Sequence, residues 1–200
     1  MTARVMLICH GSTEAVRAVK FPADEPLDEL GSKNVKALAD GLPEAGRCWT
    51  SPEQRTRQTA QALGLNAQIE PRLRDCDYGA WAGRTLDEVY AHQPDAASAW
   101  LRDPAAAPHG GESIAALIQR IGDWLADLQS RHLRTIVVTH PAVVRAAIVH
   151  AVEAAPQSFW RIDIAPLSVT RLSGFGGRWT LSSWMPGHAR FLRTFLSYQF

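Results

Sequence analysis

The chain has 200 residues, 46% of them hydrophobic, with 21 Lys and Arg against 20 Asp and Glu for a formal net charge of +1. That length suits one compact unit with a full core, so residues 1–200 read as a single domain. The near-neutral balance lacks the basic footprint of a general nucleic-acid binder, and no apolar run is long enough for a signal peptide or a bilayer span.

Cys9, Cys48 and Cys76 are odd in number, widely spaced and without a CxxC pair, which argues against a disulfide framework and a zinc ribbon. The expectation is a soluble cytoplasmic protein with reduced thiols, without membrane or nucleic-acid partners.

The first element, RVMLIC at residues 4–9, is a short apolar run that reads as a buried strand, and it ends on His10-Gly11. Leu30, Val35, Leu38 and Leu42 then follow a helical pattern, and RCWT at 47–50 reads as a second strand that stops at Ser51. Ser51-Pro52-Glu53-Gln54 has a capping serine, a proline at the first helical position and a glutamine suited to a capping box, which predicts a helix over 52–63. Residues 67–69 suggest a third strand, and the charged, glycine-containing stretch from Leu73 to Arg84 suggests a surface loop.

Helices are expected near 85–92 and 95–102, followed by the break DPAAAPHGGES. Ile114, Leu117, Ile118, Ile121, Trp124, Leu125 and Leu128 mark the apolar stripe of a longer helix. TIVVTH at 135–140 is the clearest buried strand, and Pro141 opens a helix after it. Strands at 167–172 and 178–184 complete the pattern, and the aromatic tail FLRTFLSYQF is expected to dock on the domain or on a second subunit as a homodimer. This alternation implies an α/β three-layer sandwich, a mainly parallel sheet with helices on both faces.

Three strands end on polar residues: His10-Gly11, Ser51 with Arg55, and Thr139-His140. Ligands of open parallel sheets bind beyond the carboxyl ends of the strands, so these residues can meet in one crevice. Two imidazoles and a guanidinium suit a phosphoryl group: one ring attacks phosphorus, the other donates a hydrogen bond, and arginine matches phosphate geometry. A carboxylic acid must protonate the leaving alcohol, and Asp75 and Asp77 are both candidates.

His10 alone reads equally as a turn residue, and Arg55 alone as a surface charge; their arrangement at matching strand ends favours the pocket. Arg57 reads as the surface residue, and His92, His132 and His150 as ordinary helix or loop residues. Cys9 reads first as a small buried hydrophobe, with a reactive thiol or a metal ligand as alternatives. The tryptophans, Trp81 and Trp124 among them, are better explained by packing than by base stacking.

With these residues in view, the sequence resembles the histidine phosphatase superfamily, the phosphoglycerate-mutase-like proteins. CHGST, SPEQRTRQTA, LRDCDYGAWAGRT, PHGGES and VVTHPAVVRA are similar to the family's motifs in order across residues 5–150, and HAR at 188–190 is similar to a motif near the end. The resemblance implies His10 as the phosphorylated nucleophile, Arg55 as a phosphate ligand and His140 as the second pocket histidine. It further implies Asp75 at the proton-donor position, shorter by one methylene than the usual Glu, and Glu112 helping to close the pocket. Gly11, Thr139 and Cys9 join the expected substrate-binding set, and no metal or organic cofactor is implied.

Two departures stand out. The family's first arginine is Cys9 here, and an asparagine six residues after the nucleophile is Val16. Removing one preorganised donor typically costs about 3 kcal/mol of transition-state stabilisation. Arg17, Arg74, His109 and Arg145 lie near the matched motifs as possible replacements. The expected activity is therefore a cofactor-independent phosphomonoester hydrolase acting on a small phosphorylated molecule. The rival reading is a catalytically weak or inactive pseudoenzyme that binds a ligand, inorganic phosphate or a partner in the same cleft. Mutase action fits less well, because no lysine cluster adjoins the matched motifs.

Overall fold

The structure is a computed structural model that describes residues 2–36, 42, 43, 45–129 and 134–185, the last three of these by backbone alone. Its centre is a six-stranded sheet of β1 (Ala3–Cys9), β2 (Arg47–Thr50), β3 (Gln68–Ile69), β4 (Arg134–Thr139), β5 (Val169–Phe175) and β6 (Arg178–Met185), in the order β3-β2-β4-β1-β5-β6. The pairs β1·β4, β2·β4 and β2·β3 are parallel, whereas β1·β5 and β5·β6 are antiparallel. The sheet is therefore mixed: its parallel part is flanked by a hairpin whose Gly176-Gly177 turn has φ of 59° and 82°, the signature of a two-residue type I′ connection.

Strands β1 and β4 are apolar without alternation because they are covered on both faces. Val5, Leu7, Cys9 and Val137 face a core built with α6 (Ile114–Gln129) and α7 (Pro141–Ala151). Met6, Ile8, Ile136 and Val138 face the other way, toward Val35 of α2 (Glu29–Lys36) and Ala60 of α3 (Gln54–Ala62). These two cores define the three layers of the phosphoglycerate-mutase-like α/β fold. The remaining helices are α1 (Glu14–Arg17), α4 (Leu86–His92) and α5 (Pro94–Arg102). His150 packs its ring on Gly122, where an added Cβ would lie 2.6 Å from Nδ1, so this histidine serves the α6–α7 contact.

Several sequence expectations change. Leu30 is 51% exposed, and Gly31 and Val35 are the buried residues of α2, while Leu38, His132, residues 188–190 and the tail 191–200 lie outside the described residues. Ser51 does not cap α3; Glu53 occupies the N-cap without a side-chain bond, and the Ser51 hydroxyl donates instead to the Leu73 carbonyl at 2.5 Å. The segment 73–84 is not a surface loop throughout, since Leu73, Asp75, Cys76 and Trp81 are buried. Gly79 holds this loop against the segment at His109: its φ is +48°, and a Cβ there would meet the His109 carbonyl oxygen at 2.1 Å. Among the described residues no helix is long and apolar enough to cross a membrane.

Candidate active site

Strand order brings the separated motifs together. Strand β4 lies between β1 and β2, with Cys9 paired to Thr139 and Thr50 to Val138. The next residue of each strand continues the ladder: His10 N donates to Thr139 O at 2.9 Å and Ser51 N to Val138 O at 3.0 Å. His10, Ser51 and His140 consequently share the carboxyl edge of the parallel strands.

The rings of His10 and His140 meet edge to face, with centroids 5.3 Å apart and planes at 66°. His10 Nδ1 lies 2.7 Å from the Gly11 carbonyl, which can only accept, so Nδ1 carries the proton and Nε2 keeps its lone pair. Burial, then His140 and Arg55, push the His10 pKa down to about 3, leaving the ring neutral near pH 7. His140 Nε2 donates to Glu53 Oε2 at 2.7 Å, and its Nδ1, 3.4 Å from Asp75 Oδ2, makes no hydrogen bond among the described residues.

Arg55 projects from the first turn of α3 and is 1% exposed. Its Nη2 donates to Asp75 Oδ2 at 2.7 Å, its Nη1 donates to the Ala23 carbonyl at 2.5 Å, and its buried Nε has no acceptor among the described residues. Burial alone would raise the Asp75 carboxyl, but His140, Arg55 and His10 with the Cys76 amide outweigh it and hold it below the usual carboxylate range. Glu53 is depressed for a similar reason: the His140 bond and the Asp75 amide overcome its burial.

The expected residues separate into two groups. His10, His140, Arg55 and Asp75 come together, whereas the exposed Asp77 closes a local turn by accepting from Gly79 N. Of the other expected residues, Gly11 N donates to Thr59 Oγ1 at 3.1 Å, and the Thr139 hydroxyl lies between Ser51 and Leu73 beneath the loop. Cys9 is fully buried in the core, and its thiol is pushed up by burial and Asp75, which keeps it protonated. The Glu112 carboxylate pairs with Arg120 at 2.6 Å and with Arg74 at 3.5 Å.

A cleft of about 460 Å³ opens above His10 and Asp75 and includes Val16 in its wall. Of the possible replacement cations only Arg145 lines it; Arg17 pairs with Asp28 at 3.0 Å, and His109 packs against Trp81. The Arg145 guanidinium stands 5.6 Å over the Phe159 ring and 4.0 Å from Asp163, and its Nε is buried without an acceptor among the described residues. Sequence reasoning missed Glu53, Thr59, Trp100 and Trp160. The acid between Pro52 and Arg55 was a visible signal for Glu53, while nothing local marked the others. Among the described residues no group of three or more His, Cys, Asp or Glu is placed to hold a metal.

The sequence profile described as Histidine phosphatase superfamily (branch 1) matches residues 5–186. A glucosyl-3-phosphoglycerate phosphatase of Mycolicibacterium vanbaalenii is 30% identical, over 94% of this chain and 85% of its own. A phosphoserine phosphatase of Hydrogenobacter thermophilus is 28% identical, over 84% of this chain and 86% of its own. The solved native structure of a mycobacterial glucosyl-3-phosphoglycerate phosphatase superposes with a TM-score of 0.81 at 25% identity, covering 93% of this chain and 100% of that one. The chain spans about half the length, 51%, of other curated relatives it matches.

Proposed function

This chain belongs to the histidine phosphatase superfamily (branch 1), and on that premise we propose that it hydrolyses phosphomonoesters through a phosphohistidine at His10. The observation that carries the reading is the His10 tautomer: Nδ1–H is engaged by the Gly11 carbonyl, so Nε2 presents an unprotonated nucleophile beside His140 and Arg55.

His10 Nε2 attacks phosphorus, the bond to the leaving oxygen breaks, and protonated Asp75 gives that oxygen its proton. Water then attacks the phosphohistidine, Asp75 takes the water's proton, the N–P bond breaks, and inorganic phosphate leaves. Asp75 reaches its protonated form when the incoming phosphoryl group takes Arg55 away from it and adds a like charge nearby. The free Nε of Arg55 supplies a donor for the phosphoryl oxygens, with the His140 ring standing beside it.

Arg145 supplies the positive charge that Cys9 does not. It reaches the cleft from α7 rather than from the end of β1. The names of the phosphatase relatives fit the same chemistry. Three free thiols fit a reducing compartment such as the cytoplasm.

A second reading, a binding module of little activity, draws on the closed Arg55–Asp75 pair and on Cys9. The deciding experiment uses p-nitrophenyl phosphate with His10→Ala as control, together with rapid quenching for an acid-labile phosphoryl-enzyme. Turnover and labelling that both vanish in the variant support the hydrolase. Equal background rates with retained phosphate binding support the binding module.

A further inference from the structure

The cleft above His10 is apolar well beyond what a phosphoryl group needs. Val16, Val19 and Phe21 form one wall, and Trp100, Leu101 and Trp160 contribute to the rest, with Lys20, Arg145 and Asp163 as its charged members away from Asp75. Its volume, about 460 Å³, falls in the range of pockets that enclose a whole organic ligand. The phosphoryl group belongs at His10, so this wall faces the leaving alcohol.

Val19 is the sharpest feature of that wall. It is 78% exposed and has φ of 53°, a left-handed conformation in which a β-branched side chain is strained. Neighbouring bonds enforce the geometry: Lys20 N donates to Ala15 O at 2.9 Å, Phe21 N to Arg84 O at 2.8 Å, and Lys20 bridges to Thr85. Glycine or asparagine would relieve the backbone at no cost to packing, yet the position holds an apolar side chain over the cleft. Strain of this kind concentrates where ligands are gripped.

We infer that the leaving group is a bulky apolar alcohol, aryl or branched alkyl, and that Val19 is a specificity-determining residue that covers it. The inference rests on the hydrolase reading for the direction of the ester. A polyhydroxylated or amino-acid alcohol would leave its polar groups against Val16, Val19 and the tryptophan faces, losing hydrogen bonds to water without replacement. An aryl group buries its faces there instead.

The test measures binding and needs no turnover. 1-Naphthylmethylphosphonate, 2-hydroxyethylphosphonate, 2-amino-3-phosphonopropionate and inorganic phosphate are titrated calorimetrically into the full chain. The naphthyl compound is expected to bind at least tenfold tighter than the others. Val19→Asn, which tolerates the left-handed backbone, should weaken naphthyl binding severalfold, leave inorganic phosphate unchanged and not lower Tm. Equal affinities, tightest binding of the amino-acid phosphonate, or an unchanged naphthyl affinity in the variant would each overturn the inference. A naphthyl preference in a protein that turns over no ester would keep the apolar subsite under Val19 as a ligand site, overturn its role toward a leaving group and refute the hydrolase reading.

Discussion

Arg55 Nη2 lies 2.7 Å from Asp75 Oδ2, so the guanidinium best placed to hold a phosphoryl group is already paired with the carboxyl group best placed to protonate a leaving alcohol. Both side chains are buried, and a buried pair resists opening unless each partner is offered something in exchange. On the proposed mechanism a phosphoryl group makes that exchange, taking the guanidinium and driving a proton onto the carboxylate.

Asp75→Asn should separate those roles. Removing the negative charge frees Arg55 for the ligand, so vanadate should bind about tenfold tighter by calorimetry. Loss of the acid should slow alkyl phosphate hydrolysis by about 10²- to 10⁴-fold. p-Nitrophenyl phosphate, whose leaving group needs no proton, should lose far less. Equal losses on both esters would refute a proton-donor role.

The same exchange sets a pH dependence. Asp75 is ionised in the free protein, with its pKa held below the usual carboxylate range, and the proposed mechanism requires it protonated in the complex. Binding therefore takes up a proton, and affinity should fall as pH rises, by up to tenfold per unit between the free and bound pKa values. Phosphate titrates as well, so the measured quantity is the difference in slope between wild type and Asp75→Asn. Identical slopes would rule out proton uptake at this carboxyl.

His10 gives a stability signature of defined sign. Its pKa is about 3 in the folded chain against 6.5 for an ordinary histidine, so between those limits the unfolded chain binds a proton that the folded chain refuses. Stability should rise with pH through this window, by up to about 1.4 kcal/mol per unit, and fall as the solution is acidified. The depressed carboxyls of Asp75 and Glu53 act in the same direction, but at lower pH. In His10→Gln the slope between pH 4.5 and 6.5 should flatten in urea unfolding.

Arg145 and Cys9 form a natural double-mutant cycle. Arg145→Ala should cut kcat/KM about 100-fold in the native background, in line with removal of one charge-stabilising donor. In a Cys9→Arg background the same change should cost markedly less, because a guanidinium then grips the phosphoryl group from the end of β1. Cys9 is fully buried, so the arginine should also cost about 1–3 kcal/mol of stability through overpacking. Additive effects on kcat/KM would show that the two positions do not share a task.

Glu53→Gln tests how His140 is held. The amide keeps the size and one acceptor but loses the charge opposite Nε2, so kcat should drop about tenfold with little change in KM, and the pH profile of kcat should shift. A drop in Tm with unchanged kinetics would make Glu53 purely structural.

The layers were legible in the sequence because burial on both faces writes itself as unbroken apolar runs in β1 and β4, and helical spacing writes itself into α6. His10, Arg55, Asp75 and His140 were legible for a related reason: polar residues at strand ends have few places to go. The Ser51 cap was misread for another reason. Ser51, Gly11 and Thr139 carry donors whose partners, Leu73, Thr59 and each other, lie 22 to 88 residues away. Local pattern supplied a helix cap where the fold uses the Ser51 hydroxyl as an internal fastener. The antiparallel β5–β6 pairing and the strained Val19 left no periodic mark at all.

The placement of β4 between β1 and β2 has a consequence for biosynthesis. A nascent chain emerging from the ribosome carries His10 and Arg55 long before it carries the strand that sets them side by side. The paired His10–His140 site should therefore form in one step, late in translation, and a growing polypeptide lacks it until that middle strand is inserted.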